Sequence, residues 1–220
     1  MEKWEQVEQY FNSHLLKKDA VLEEVLKENQ AAGLPAIDVA PHEGELLHIL
    51  AKLKGVSSIL EIGTLGGYST ICLGRALPEN GKLVTLEYSE KHAQVAEKNI
   101  ARAKLENKIH IIVGKALDSL PTLEKNGFKN FDLIFIDADK KNNPHYLNWA
   151  LDLAQPGAMV IIDNVVRHGE VVNAGSNDES VQGTREMVDL LATDSRIDST
   201  AIQTVGSKGH DGFIIGIVNK

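Results

Sequence analysis

Phe131-Asp132-Leu133-Ile134-Phe135-Ile136-Asp137-Ala138-Asp139-Lys140 and, further along, Met159-Val160-Ile161-Ile162-Asp163-Asn164 are two apolar runs that stop abruptly at oxygen-rich residues. Runs this dense in aliphatic and β-branched residues read as strands buried on both faces, the habit of a parallel sheet. Ligands of open α/β sheets gather beyond the carboxyl ends of such strands, so Asp137, Asp163 and Asn164 are expected to share one crevice. Two carboxylates and a neutral amide suit a hard divalent cation such as Mg²⁺. Neither run supplies sulfur or imidazole, which argues against zinc. The competing reading is that each Asp only caps the helix after its strand.

Outward from these runs, strand and helix patterns alternate from Ser57 onward, as in a sheet built from βαβ units. Strands are predicted over 58–62, 83–87, 109–113, 133–137 and 159–163, and helices over 69–76, 90–105, 144–153 and 179–192. After the last helix come 197–204, a Gly-rich loop at 206–212 and 213–218, which together predict an antiparallel hairpin. The polar stretch 173–180 reads as a surface loop able to act as a lid. Before the sheet, Pro41 and acidic Glu43 open a helix that runs to about Lys54. Still earlier, Val7, Tyr10, Phe11, Leu15, Val21, Leu22, Val25 and Leu26 recur at helical spacing with an interruption near 17–19, giving one or two amphipathic helices.

The chain has 220 residues, 43% hydrophobic and 25% charged, enough for one well-buried α/β domain. A net charge of −8 lacks the basic footprint of a protein that binds nucleic acid by neutralising phosphates. The single cysteine, Cys72, falls within a helical pattern and reads as a packing residue. The charged, amphipathic first 27 residues resemble neither a signal peptide nor a membrane span, so a cytoplasmic protein without a membrane partner is expected.

The first strand runs into Glu61-Ile62-Gly63-Thr64-Leu65-Gly66-Gly67-Tyr68-Ser69, a glycine turn of the kind that lets a ligand approach backbone closely. Its Gly-x-x-Gly-Gly spacing departs from the Gly-x-Gly-x-x-Gly register of a dinucleotide site. Glu61 would repel a pyrophosphate but could pair with an ammonium group. Glu87 ends the next strand, where an acid accepts hydrogen bonds from ribose hydroxyls. An adenosine ligand with a cationic amino-acid end fits, and S-adenosylmethionine is such a ligand.

Glu61 to Ser69, then Glu87, then Phe-Ile-Asp-Ala-Asp-Lys ending at Lys140, then Asp163-Asn164, resemble the cation-dependent O-methyltransferase family of catechol and caffeoyl-coenzyme A O-methyltransferases and their bacterial relatives. The resemblance covers about residues 35–218. It implies a single-domain, Rossmann-like class I S-adenosylmethionine methyltransferase fold: a seven-stranded, mostly parallel sheet with its last strand antiparallel. Residues 1–34 would form an additional N-terminal helical segment, and 35–220 the methyltransferase domain.

By the same resemblance, Asp137, Asp163 and Asn164 are metal ligands and Lys140 is the catalytic base. Cofactor contacts map to Val39, Glu61, Gly63, Leu65, Gly67, Ser69, Glu87, Ala116, Leu117, Asp137 and Asp139. The bland reading of Lys140 is a solvated lysine beside Lys141. Two segments depart from the family pattern. Many relatives have Trp or another large apolar residue near Arg167, where this chain reads Val165-Val166-Arg167-His168-Gly169, and 206–212 is longer than their tight Gly-Asp-Gly turn. Both departures bear on the acceptor, and His168 falls in the first of them. Tyr146 reads as core or as a neighbour of the cofactor, and Trp4 as part of a pocket or an interface.

The implied activity is transfer of methyl from S-adenosylmethionine, leaving S-adenosylhomocysteine, to a vicinal hydroxyl of a small phenolic, with Mg²⁺ or another divalent cation and a homodimeric enzyme. Methylation of a hydroxylated uridine in tRNA is the close alternative. A nicotinamide-dependent oxidoreductase and a non-catalytic S-adenosylmethionine-binding protein are rivals of other classes.

Overall fold

The structure, a computed structural model, describes residues 2–219. Seven strands form one sheet in the order β3-β2-β1-β4-β5-β7-β6. They are β1 (Ser58–Ile62), β2 (Lys82–Glu87), β3 (Ile109–Val113), β4 (Phe131–Ile136), β5 (Ala154–Asp163), β6 (Ile197–Gly206) and β7 (Gly209–Val218). The helices are α1 (Lys3–Leu15), α2 (Ala20–Ala31), α3 (Pro41–Lys54), α4 (Tyr68–Gly74), α5 (Glu90–Arg102), α6 (Ala116–Ser119), α7 (Asn143–Leu153) and α8 (Glu179–Thr193). The chain forms two compact units, Gln9–Thr122 and the remainder from Leu123 together with the first residues through Glu8.

In the unit 9–122, β1 and β2 pair in parallel, as do β2 and β3. Ile59, Leu60, Ile62, Leu83 and Leu86 are buried in it, as alternating apolar strands between helices require. The break expected near 17–19 is real. Asp19 ends it as the N-cap of α2, accepting the amides of Val21 and Leu22 at 3.0 and 3.1 Å. Burial opposes ionisation of Asp19, but Arg75, the amides and the Arg75 charge outweigh it and hold the carboxyl below its ordinary range. At α3 the Glu43 carboxylate accepts the Ala40 N–H at 2.8 Å, the predicted role of an acid in a first turn. Gly55 closes α3 in left-handed backbone, φ +69°. Cys72 is buried, as the helical pattern predicted.

α1 differs from the helices that follow, because none of its residues is buried. Trp4, Val7, Tyr10, Phe11 and Leu15 are all exposed. Glu8 accepts hydrogen bonds from the backbone N–H and hydroxyl of Ser207 at the tip of the β6–β7 hairpin.

In the other unit, every residue of β4 is buried, and β4 pairs with β5 in parallel with Ile136 opposite Ile162. β7 runs antiparallel between β5 and β6. Element boundaries differ from those predicted, most at the start of β5 and at the β6–β7 hairpin. β5 starts at Ala154, with a register shift near Phe131, so Gln155-Pro156-Gly157 belongs to the strand. The Gly-rich stretch 206–212 is mostly strand: β6 runs to Gly206, β7 starts at Gly209, and only Ser207 and Lys208 turn. A two-residue hairpin turn followed by Gly209 at φ +90° lets both strands extend further than their composition suggests. The lid predicted at 173–180 is an exposed loop that ends where Asp178 caps α8 by accepting the Ser180 amide at 2.7 Å. Among the described residues no helix is long and apolar enough to cross a membrane.

Candidate active site

Within the unit 9–122, the turn from β1 to α4 is built around two buried carboxylates. Glu61 is fully buried and accepts hydrogen bonds from Ser69 Oγ at 2.7 Å, Thr70 Oγ1 at 2.5 Å and Thr85 Oγ1 at 2.7 Å. Those hydroxyls supply the hydrogen bonds that a buried carboxylate needs. They also fix the first turn of α4. Glu87, at the end of β2, accepts the Thr64 and Leu65 amides on Oε2 at 3.2 and 2.8 Å and the Ser89 amide on Oε1 at 2.9 Å. His92 Nδ1 is 3.3 Å from Oε1. The two acids assigned from sequence to the cofactor therefore also hold the glycine turn in shape.

Gly63 and Gly67 have φ of +102° and +88°, and Leu65 between them is left-handed at +49°, a conformation that costs a residue with a Cβ. Val39 is buried just before α3. Gly114 N–H donates to the carbonyl of Glu87 at 2.8 Å, which brings the start of α6, with Ala116 and Leu117, to the end of β2. Residues 39, 61–69, 87 and 116–117 thus fall in the same unit.

An element absent from the sequence reading holds this turn from behind. Asn99 of α5 uses its amide nitrogen to donate to the Gly66 carbonyl at 2.9 Å and to Asn29 Oδ1 at 3.1 Å, and Asn29 of α2 donates to Asp38 at 2.8 Å. Both asparagines are buried. A Cβ on Gly66 would lie 1.9 Å from Asn29 Oδ1, so glycine is required there by the side chain packed on it.

The remaining candidates fall in the other unit. Asp137 and Asp163 each follow the paired residues Ile136 and Ile162, so the register of two parallel strands brings the two residues to neighbouring strand ends. Asn164 comes next in left-handed backbone, φ +55°, its N–H bonded to Asp163 Oδ1 at 2.7 Å. Lys140, in a 3-10 turn at 140–142, is buried, and its Nζ donates to Asp137 Oδ1 at 2.8 Å. The reading of Lys140 as a solvated surface lysine is thereby excluded.

Asp139 is exposed and accepts Tyr146 Oη on one oxygen at 2.6 Å and Asn142 on the other. Burial, and then the hydrogen bond to Asp139, push the Tyr146 phenol well above its ordinary range. Tyr146 is therefore both a buried packing residue and an anchor of the Asp137–Lys140 segment. The segment is pressed from the other side by α8, where a Cβ on Gly183 would meet the Lys140 carbonyl at 2.5 Å and Lys141 Cα at 2.6 Å. Asn29, Asn99 and Gly183 were not legible as site supports.

The donor set fits a hard divalent cation: two carboxylates from adjacent strands and one amide, with an ammonium pairing with one carboxylate oxygen. Comparison with known proteins decides the family. The sequence model of the O-methyltransferase family matches residues 12–213. The chain belongs to the O-methyltransferase family. It is 46% identical to a catechol O-methyltransferase of Niastella koreensis, over 98% of this chain and 97% of that one. Its structure matches an O-methyltransferase from Bacillus cereus, solved with SAH, with a TM-score of 0.97 and 54% identity over 98% of each chain. It also matches the O-methyltransferase TomG from Streptomyces achromogenes, involved in tomaymycin synthesis and solved with SAM, with a TM-score of 0.96 and 43% identity over the whole of both chains. This O-methyltransferase therefore has the seven-stranded α/β fold expected from its sequence, and the oxidoreductase rival falls away.

Proposed function

We propose that this O-methyltransferase moves the methyl group of S-adenosylmethionine to one hydroxyl of a small vicinal diphenol, using a divalent cation held by Asp137, Asp163 and Asn164 and using Lys140 as the base. The observation that carries the reading is the buried Lys140 amine, 2.8 Å from Oδ1 of Asp137, the carboxylate that follows β4. A lysine held beside this carboxylate can serve a proton transfer with an acceptor that binds there.

When bound, the cation supplies positive charge that favours the ionised hydroxyl and a template that orients two neighbouring oxygens. Lys140 Nζ, as the neutral amine once it has released a proton to solvent, takes the proton of the reacting hydroxyl. Asp137 holds that amine in position, and Tyr146 and Asn142 fix the Asp139 carboxylate that precedes it. The phenolic oxygen then attacks the methyl carbon as the carbon–sulfur bond breaks, and S-adenosylhomocysteine leaves. Holding the two reactants in line can remove about 7 kcal/mol or more of barrier in favourable cases.

For the cofactor, support comes from the glycine turn and from the relatives solved with SAM or SAH. Backbone at Gly63 and Gly67 leaves room for close approach. Glu61 provides the negative charge an ammonium group seeks, and Glu87 lies at the strand end suited to a ribose. For the acceptor, the relative named catechol O-methyltransferase favours a diphenol over a tRNA uridine, and the net charge of −8 agrees.

Labelled methyl transfer to 3,4-dihydroxybenzoate, caffeate and a dihydroxyflavonoid, each beside its monohydroxy analogue, tests the reading. The expected result is transfer to the diols alone. Equal transfer to the monohydroxy compounds would show that two adjacent oxygens are not needed and would overturn the diol assignment.

A further inference from the structure

After Asp163-Asn164 the chain reverses through left-handed backbone at three non-glycine residues. Asn164, Arg167 and His168 each have φ +55°, and Gly169 follows at +88°. Residues with a Cβ avoid this region, so such a segment keeps its shape only when neighbouring structure fixes it. The neighbour is β7. Val165 N–H donates to the Gly212 carbonyl at 3.0 Å. Val166 N–H and Arg167 N–H donate to a single oxygen, Asp211 Oδ1, at 3.0 and 3.2 Å. The same oxygen takes the Gly212 N–H at 3.0 Å.

One carboxylate oxygen thus gathers three backbone amides, two of them from the strained segment. Bonds to an ionised acceptor are stronger than neutral ones, and their direction is fixed by the strand that carries Asp211. Asp211 is two residues before Phe213, which pairs with Asp163 in the β5–β7 register. Gly212 permits the contact, since a Cβ there would lie 2.3 Å from the Ile202 carbonyl and 2.9 Å from Val166 Cγ2. The carboxylate is therefore anchored to the strand pair that carries Asp163 and reaches across to the turn that carries Asn164.

We propose that Asp211 is a positioning residue for the acceptor end of the site. It acts through the Val166 and Arg167 amides to hold Asn164 and the segment after it in their reversed shape. In doing so it sets the affinity for the divalent cation and the orientation of the diol. The proposal rests on the functional reading given above. It separates two ends of the machinery, because the amides that Asp211 accepts belong to Val166, Arg167 and Gly212, in the segments that follow Asn164 and precede Phe213.

The test compares wild-type protein with Asp211→Ala and Asp211→Asn. Mn²⁺ binding is followed by electron paramagnetic resonance without turnover, S-adenosylhomocysteine binding by calorimetry, and the ratio of the two monomethyl products by chromatography. Loss of a residue that orients a metal ligand weakens metal binding by about 10- to 100-fold. Asp211→Ala is expected to weaken Mn²⁺ binding by that factor and to shift the product ratio, with S-adenosylhomocysteine affinity kept. Asp211→Asn, which retains an acceptor oxygen without the charge, is expected to fall between. Wild-type Mn²⁺ affinity and product ratio in Asp211→Ala would overturn the proposal, and so would a parallel loss of S-adenosylhomocysteine binding, which marks a general structural role. If the alanine variant does not fold, wild-type values in Asp211→Asn overturn it. Wild-type protein that binds no Mn²⁺ would instead overturn the functional reading, and the proposal with it.

Discussion

Lys140 Nζ donates a hydrogen bond to Asp137 Oδ1 at 2.8 Å, and the lysine side chain is only 7% exposed. Burying an ammonium group is costly unless an opposite charge accompanies it, so Asp137 is what allows the amine to be there. Held in this way, the amine is already in place before any acceptor arrives. Lys140→Ala is expected to lower kcat by about 10²- to 10⁴-fold, the usual worth of a positioned general base. KM for S-adenosylmethionine should change little. Lys140→Arg keeps the charge but cannot accept the proton, so it should be as inactive as the alanine variant. Activity near wild type in either one would remove Lys140 from the chemistry.

Gly183 on α8 is where the segment carrying Lys140 is pressed most closely. A Cβ there would lie 2.5 Å from a backbone oxygen, which no rotamer change can relieve. Gly183→Ala should cost about 1–3 kcal/mol of stability, as overpacking does. It should also lower kcat several-fold by displacing Lys140. Urea denaturation and steady-state kinetics on the same preparation check both effects. A stable variant with wild-type kcat would show that the helix yields without moving the lysine.

The N-cap of α2 gives a pH signature. Asp19 accepts two amides and pairs with Arg75, and its folded carboxyl titrates below the unfolded one. A depressed folded pKa means stability that is present above the unfolded carboxylate range and is lost as pH falls through the folded value. The pair is about one-third exposed, so most of its worth lies in the cap. Asp19→Ala is expected to cost about 1–2 kcal/mol at pH 7. The gap to wild type should close in acid, measured by denaturant midpoints over a pH series. A gap that persists at the lowest pH would assign the effect to packing.

Cys72 offers a simple check of the core. Burial pushes its thiol up to about 12, so the reactive thiolate is scarce at pH 8. Ellman's reagent should leave the native protein unmodified and should react with its one cysteine in urea. Rapid reaction of the native protein would mean that α4 is more open than the structure has it.

Much of this was legible in the sequence because the deciding residues sit at changes of pattern. The run Phe131 to Ile136 is apolar throughout because β4 is buried throughout, and the break at Asp137 marks the strand end. Asp163-Asn164 ends β5 in the same way. The start of β5 was hidden, since Gln155-Pro156-Gly157 carries turn residues yet pairs beside a register shift. The hairpin tip was hidden as well, because glycines at 206, 209 and 212 look like a loop, although Gly212 is needed for close packing between strands.

The supports of the site were the least legible part. Asn29 and Asn99 are polar residues on helices that otherwise alternate charge with small apolar positions, and polarity alone assigns them to the surface. One signal was available for Asn29. It falls four residues after Val25, on the one face of α2 that is buried. Nothing comparable marks Gly183, and for Asp211 the sequence marked only its segment, 206–212, since its role comes from contacts with a segment far away in sequence.

The proposed chemistry makes methyl transfer depend on a divalent cation held by Asp137, Asp163 and Asn164. The direct test is the initial rate of transfer to 3,4-dihydroxybenzoate after EDTA treatment, then after adding back Mg²⁺, with S-adenosylhomocysteine affinity measured in parallel. The expected result is a rate at background in EDTA, its return with Mg²⁺, and cofactor affinity unchanged throughout. A rate that survives EDTA with full cofactor binding would contradict it.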